Sequence, residues 1–73
     1  MREWLRKART DKGMTQLQLA KSIGISEGYY SYIESGDRQK NMDIAMVMKL
    51  ARALDMSTQE IMEQEEGNRA SLQ

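Results

Sequence analysis

Apolar residues at Met1, Trp4, Leu5 and Ala8 follow the spacing of one helix face, which predicts an amphipathic helix over residues 2–12. Gly13 should end it, because glycine enters the left-handed conformation that closes a helix without a steric penalty. Thr15-Gln16-Leu17-Gln18 has the T-x-x-Q form of a capping box and opens a second helix, with Leu19, Ala20 and Ile23 inward and Gly24 as its stop. Ile25-Ser26 is a short connector, and Ser26 is a good N-cap for a third helix from about residue 27 to residue 35, closed by Gly36. Tyr30 and Ile33 are the apolar pair of that helix. Residues 37–41 are polar and aperiodic, so they read as a loop. Asp43 can cap a fourth helix whose inward residues are Ile44, Val47, Leu50, Ala51 and Leu54. Ser57-Thr58-Gln59-Glu60 is a second capping box, opening a fifth helix with Ile61 and Met62 inward. After Glu63 the chain offers almost nothing to bury, so the expected organisation is one domain over residues 1–65 and a flexible tail over residues 66–73.

Composition narrows the chemistry. The 73 residues lie near the lower size limit for a domain that folds without staples, and the chain contains neither cysteine nor histidine. Thiol nucleophiles, disulfides and the usual nitrogen and sulfur zinc ligands are therefore excluded. Proline is absent too, and good helix formers dominate, so the fold class expected is all-α. An enzyme is the least expected class, since short helices leave little room for a catalytic pocket. No cofactor and no small-molecule substrate are indicated. No apolar run approaches the ~18 residues a membrane span needs, and no signal-peptide core is visible, so a cytoplasmic location without membrane contact is expected.

Net charge is zero, but the charges are unevenly placed. Arg2, Arg6, Lys7, Arg9, Lys12, Lys21, Arg38 and Lys40 outnumber Glu3, Asp11, Glu27, Glu34 and Asp37 in residues 1–40. In residues 41–73, Asp43, Asp55, Glu60, Glu63, Glu65 and Glu66 outnumber Lys49, Arg52 and Arg69. The chain is dipolar, with a basic half that suits a polyanion.

A helix, Gly24, a short connector and a second helix with an N-terminal serine form the informative unit, because such a turn sets two helices at a steep angle. Spacing alone does not separate this arrangement from any small helical bundle. The residues themselves do more: Leu5, Ala8-Arg9, Lys12-Gly13-Met14-Thr15-Gln16, Leu19-Ala20, Ile23-Gly24-Ile25-Ser26, Tyr30-Ser31, Ile33-Glu34-Ser35-Gly36, Arg38 and the run from Leu50 to Ser57. In these positions the chain resembles the lambda repressor/Cro-type helix-turn-helix DNA-binding family over residues 3–63. The resemblance implies a five-helix, lambda-repressor-like domain in which helices 2 and 3 form the helix-turn-helix and the second of these enters the major groove.

Site residues follow from that resemblance. Gln16 would hold a DNA phosphate at a helix N-terminus, and Thr15 would cap the helix with or without touching the same phosphate. Glu27, Gly28, Tyr29 and Tyr32 occupy the base-contacting positions. This face lacks the Arg, Gln and Asn side chains that most often read guanine or adenine. Glu27 could accept from a cytosine amino group, and the tyrosines could meet thymine methyls, bases or phosphates, or form a merely amphipathic surface. Gly28 either admits close approach of the DNA or is simply tolerated near the helix start. Ser35, Arg38 and Lys40 would add phosphate contacts, with a solvated loop as the competing reading for Lys40. In this loop Met42 stands where the family most often has a proline, after a slightly longer segment. Arg9 and Glu34 match a largely buried structural ion pair.

Two functions compete. One is a sequence-specific transcriptional regulator, a phage or mobile-element type repressor or a stand-alone controller, binding a palindromic double-stranded DNA operator as a homodimer. Met56, Ile61 and Met62 are then candidates for the dimer surface. The other is an antitoxin-like or adaptor module that keeps the fold but binds a protein. Its support is the neutral net charge and the Glu and Tyr content of the third helix. The seven methionines fit either core filling or a pliable binding surface.

Overall fold

Local side-chain caps open the second to fifth helices of the computed structural model, which describes residues 1–36 and 42–71, with side chains through residue 67. These described residues form five helices and no strand: α1 (Glu3–Asp11), α2 (Gln16–Ile23), α3 (Glu27–Ser35), α4 (Ile44–Leu54) and α5 (Thr58–Ser71). Thr15 caps α2 with both bonds of the capping box in place. Ser26 accepts from the Tyr29 N–H and Asp43 from the Met46 N–H, so α3 and α4 begin where the sequence places them. At the start of α5, Ser57 and Glu60 exchange side-chain to backbone bonds of 2.9 and 3.0 Å. Helix ends follow the glycines at α2 and α3, whereas α4 closes on Asp55 in the left-handed region at φ 57°. Aspartate tolerates that conformation better than most side chains.

Leu5, Leu19, Ala20, Ile23, Tyr30, Ile33, Val47, Leu50, Leu54 and Ile61 build one core, to which Met46 and Ala51 also belong. α2 packs on α3 and α4, α4 on α5, and α1 on α3. Met14, Met42 and Met56 flank this core, so core filling is the commoner use of methionine here. Three residues expected inward are not. Met1, Ile44 and Met62 are 52%, 66% and 57% exposed. Met1 precedes the first helical turn, while Ile44 and Met62 lie about a quarter turn from the buried stripes of their helices, at edges no other described element covers.

The largest departure from the pattern lies at the two ends of the chain. α5 continues through Ser71, into the stretch expected as a flexible tail, while residues 72–73 are outside the described residues. Glu65, in a stretch expected to bury almost nothing, is 9% exposed. Its carboxylate accepts from the Arg2 Nε at 2.9 and 3.0 Å and from the Trp4 indole N–H at 2.8 Å. Arg2 is fully buried, donates from Nη1 to the Ile33 carbonyl at 2.6 Å, and hydrogen-bonds through its own N–H to the Glu34 carbonyl at 2.8 Å. A charge pair thus does what an apolar pattern would otherwise reveal, clasping α5 to the start of α1 and the end of α3.

Candidate nucleic-acid interface

The candidate interface starts at the N-terminus of α2. Thr15 Oγ1 accepts from the Gln18 N–H at 3.1 Å, and Gln18 Oε1 accepts from the Thr15 N–H at 2.8 Å. The cap uses the hydroxyl as an acceptor, which leaves its own proton available to an outside acceptor. Gln16 is half-buried and donates one amide N–H to Glu34 Oε2 at 3.1 Å. Its second amide N–H has no intramolecular partner among the described residues. The first backbone N–H groups of a helix also lack a carbonyl four residues back, and the helix dipole adds a partial positive charge there. Thr15 and Gln16 together make a donor-rich corner for an anion.

Glu34 holds that corner from inside. Its carboxylate, only 1% exposed, receives Arg9 Nη2 at 3.1 Å and Nε at 3.3 Å as well as Gln16. Arg9 Nη1 donates in turn to the Met14 carbonyl at 2.8 Å. The hydrogen bond to Glu34 pushes the Arg9 guanidinium further above its ordinary range, so it stays a cation throughout. The expected ion pair is therefore present, and it reaches further than expected: one buried carboxylate ties α1, the turn after it, α2 and α3 together. Beside it lies the Tyr30 hydroxyl, buried and without a hydrogen-bond partner among the described residues. Burial, then the Glu34 charge, push its ionisation well above the usual phenol range.

The turn between α2 and α3 rests on Gly24 at φ 77°, with the Ile25 N–H returning to the Ala20 carbonyl at 3.0 Å. A side chain at this backbone angle would be strained. Ser26 then restarts the chain as α3, which buries Tyr30, Ile33 and Glu34 and turns Glu27, Gly28, Tyr29 and Tyr32 outward. Tyr29 and Tyr32 are 43% and 40% exposed. A Cβ at Gly28 would meet nothing within 4 Å, so the fold itself does not demand glycine there. Ser31, which the sequence did not single out as a site residue, is also exposed, one turn after Glu27 and Gly28 on the same open face. Its helical position, three residues after Gly28, was the available signal.

Other expected contacts fare differently. Ser35 donates its hydroxyl proton to the Tyr32 carbonyl at 2.9 Å, so in this conformation it has no proton to offer a phosphate. Arg38 and Lys40 lie outside the described residues. Ile61 is fully buried in the core and cannot line a dimer surface. The i, i+4 pair Ile61 and Glu65 turns inward, which leaves Met62 outside, while Met56 is half-buried against the core. No described helix is long and apolar enough to cross a membrane, and no group of three or more carboxylate, His or Cys side chains is placed to hold a metal among the described residues.

Comparison with known proteins agrees with this geometry. A family model described as helix-turn-helix matches residues 5–61. Over 45 residues the chain is 42% identical to an uncharacterized HTH-type transcriptional regulator, YqaF, of Bacillus subtilis (strain 168), a match covering 62% of this chain and 59% of that protein. The chain thus spans about three-fifths of the length of the curated relative it matches. From the capped α2, the glycine turn, the α3 that bares one face and the family match over most of its length, the chain belongs to the lambda repressor/Cro-like helix-turn-helix family.

Proposed function

We propose that this chain is a sequence-specific DNA-binding transcriptional regulator that acts in the cytoplasm and binds a palindromic operator as a homodimer. The observation that carries the reading is the division of α3: Tyr30, Ile33 and Glu34 face the core, where Glu34 holds Gln16 of the donor corner, while Glu27, Gly28, Tyr29 and Tyr32 stand outside. In this reading the Thr15 hydroxyl and the second Gln16 amide N–H hold a phosphate and fix the register of α3 in the major groove. Glu27 accepts from a cytosine amino group, and the tyrosines pack on thymine methyls or donate to bases and phosphates. A single domain offers few such contacts, so two copies on half-sites about one helical turn apart supply the specificity.

Selection from random duplex DNA gives the operator, and fluorescence anisotropy on that duplex tests the reading. Wild-type affinity should fall with rising salt, and Tyr29→Ala with Tyr32→Ala should weaken binding by at least about a hundredfold, as expected when two base-contacting side chains are removed. If no duplex is enriched and binding shows no salt dependence, the reading fails. The zero net charge and the carboxylate and two phenols on the open face of α3 favour a second reading, an antitoxin-like or adaptor module. It predicts that the tyrosine double variant loses a protein partner while duplex binding is absent from the start.

A further inference from the structure

We propose that Arg2 and Glu65, both buried, are positioning residues for phosphate binding, which rests on the DNA reading above: they fix the last turn of α3 and, through Glu34, the Gln16 amide. A helix ends on carbonyls that its own N–H groups cannot reach. α3 has no basic residue in its last turn to meet them. The Gly36 N–H returns to the Tyr32 carbonyl at 3.2 Å, and Arg2 takes the next two. Its Nη1 donates to the Ile33 carbonyl at 2.6 Å, and its main-chain N–H donates to the Glu34 carbonyl at 2.8 Å. A guanidinium in this place also opposes the negative end of the helix dipole. The cation that closes α3 therefore comes from the start of α1, 31 positions away from Ile33.

α5 holds that guanidinium in turn. Glu65 accepts from Arg2 Nε at 2.9 and 3.0 Å while it receives the Trp4 indole N–H at 2.8 Å. With Nε fixed, the planar fork of the guanidinium leaves Nη1 little choice of direction. A Cβ at Gly36 would lie 3.5 Å from Nη1, so Arg2 also packs against the residue that closes α3.

Glu34 carries the connection onward. Arg2 fixes its main-chain carbonyl, and its side chain, 1% exposed, receives Arg9 together with Gln16 Nε2 at 3.1 Å. That last bond sets the direction in which the second Gln16 amide proton points. A continuous line of hydrogen bonds thus joins Glu65 to Gln16 through Arg2 and Glu34. Close-packed groups cannot shift without moving their neighbours, so a displacement at one end of such a line reaches the other. Hydrogen bonds weaken steeply with misalignment, and a rotated last turn of α3 would turn the Gln16 donor away from its phosphate. A clasp that served stability alone has a different consequence: a folded variant without it would bind DNA as the wild type does.

The test uses the full chain and Arg2→Met with Glu65→Leu, which removes both charges together and strands neither. Circular dichroism melts set a temperature at which every variant is folded. On the selected duplex, anisotropy should show affinity about tenfold weaker for this clasp variant, and about tenfold weaker for Gln16→Ala, the loss expected for one hydrogen bond to a phosphate. Added to Gln16→Ala, the clasp changes should weaken binding by less than about twofold further, because the contact they position is already gone. In the free protein, clasp removal should move the Gln16 side-chain amide resonances. Glu65→Gln keeps the shape and one acceptor oxygen; it should show the same pattern with a smaller loss and carries the test if the clasp variant does not fold. Wild-type affinity in a folded clasp variant, independent losses in the Gln16→Ala background, Gln16→Ala that binds like the wild type, or unmoved Gln16 resonances each overturn the proposal. If the wild type binds no duplex, the DNA reading fails separately, and the resonances decide the coupling: moved ones uphold it and unmoved ones overturn it.

Discussion

Tyr30 and Arg2 are each fully buried with a polar head, and their heads are treated differently. The Tyr30 hydroxyl has no hydrogen-bond partner among the described residues, so removing it should cost nothing and relieve a desolvated group. Tyr30→Phe is expected to leave stability at neutral pH unchanged or raise it by up to about 1 kcal/mol in urea unfolding. The substitution also has a pH signature. Because the folded state holds the phenol proton above its ordinary value, the unfolded chain releases that proton first once pH passes about 10, and stability falls from there upward. Tyr30→Phe should lack this part of the alkaline loss; identical pH curves for the two proteins would show that the phenol does not titrate as argued. Arg2 is fully engaged instead, through Glu65 and the Ile33 carbonyl. Arg2→Met should cost about 3 kcal/mol, because it strands the Glu65 carboxylate, and Arg2→Met with Glu65→Leu should recover most of that loss. A double-mutant cycle in urea that showed simple additivity would deny the clasp.

At the scale of helices, the two capping boxes make a controlled pair. Thr15 and Ser57 form the same reciprocal bonds, but only Thr15 stands at the donor corner beside Gln16. Thr15→Ala and Ser57→Ala should each cost about 1 kcal/mol of stability. Only Thr15→Ala should also weaken duplex binding, read by anisotropy at a temperature where both variants are folded; equal affinities would reduce Thr15 to a cap. Helix boundaries were legible in the sequence because caps and stops act within a few residues, as Thr15, Ser26, Asp43 and Ser57 show. The fate of Ile44 and Met62 was less legible. A stripe read from spacing does not say where the neighbouring helix ends, and these residues fall at edges that no described helix covers. The length of α5 was illegible for another reason: the residue that anchors it is a glutamate, which hydropathy reads as solvent-facing.

Taken whole, the molecule is neutral, and any affinity for DNA depends on how its charges are distributed. Replacing Arg38 and Lys40 with Gln together is expected to flatten the slope of log affinity against log salt by roughly 3 to 4 in a dimer, since every phosphate that goes unneutralised keeps nearly one counterion in place. An unchanged slope would place the phosphate-binding cations elsewhere. The open face of α3 was legible as a surface, since Tyr30 and Ile33 marked its buried side, but a base sequence for it to read was not, because Glu27, Tyr29 and Tyr32 match no single base. By itself the sequence determined where the helices start, their caps, the glycine turn and the α3 face, all of which depend on chain neighbours. Only the tertiary structure decided that Glu34 is shared by Arg9 and Gln16, and that Arg2 pairs with Glu65 across 63 positions of sequence. It alone moved Ile61 from candidate interface to core and bared Met48 and Met62. The physical reason is common to all of these: a buried charge or a bared methionine is defined by what packs around it, and that is set by helices distant in the chain.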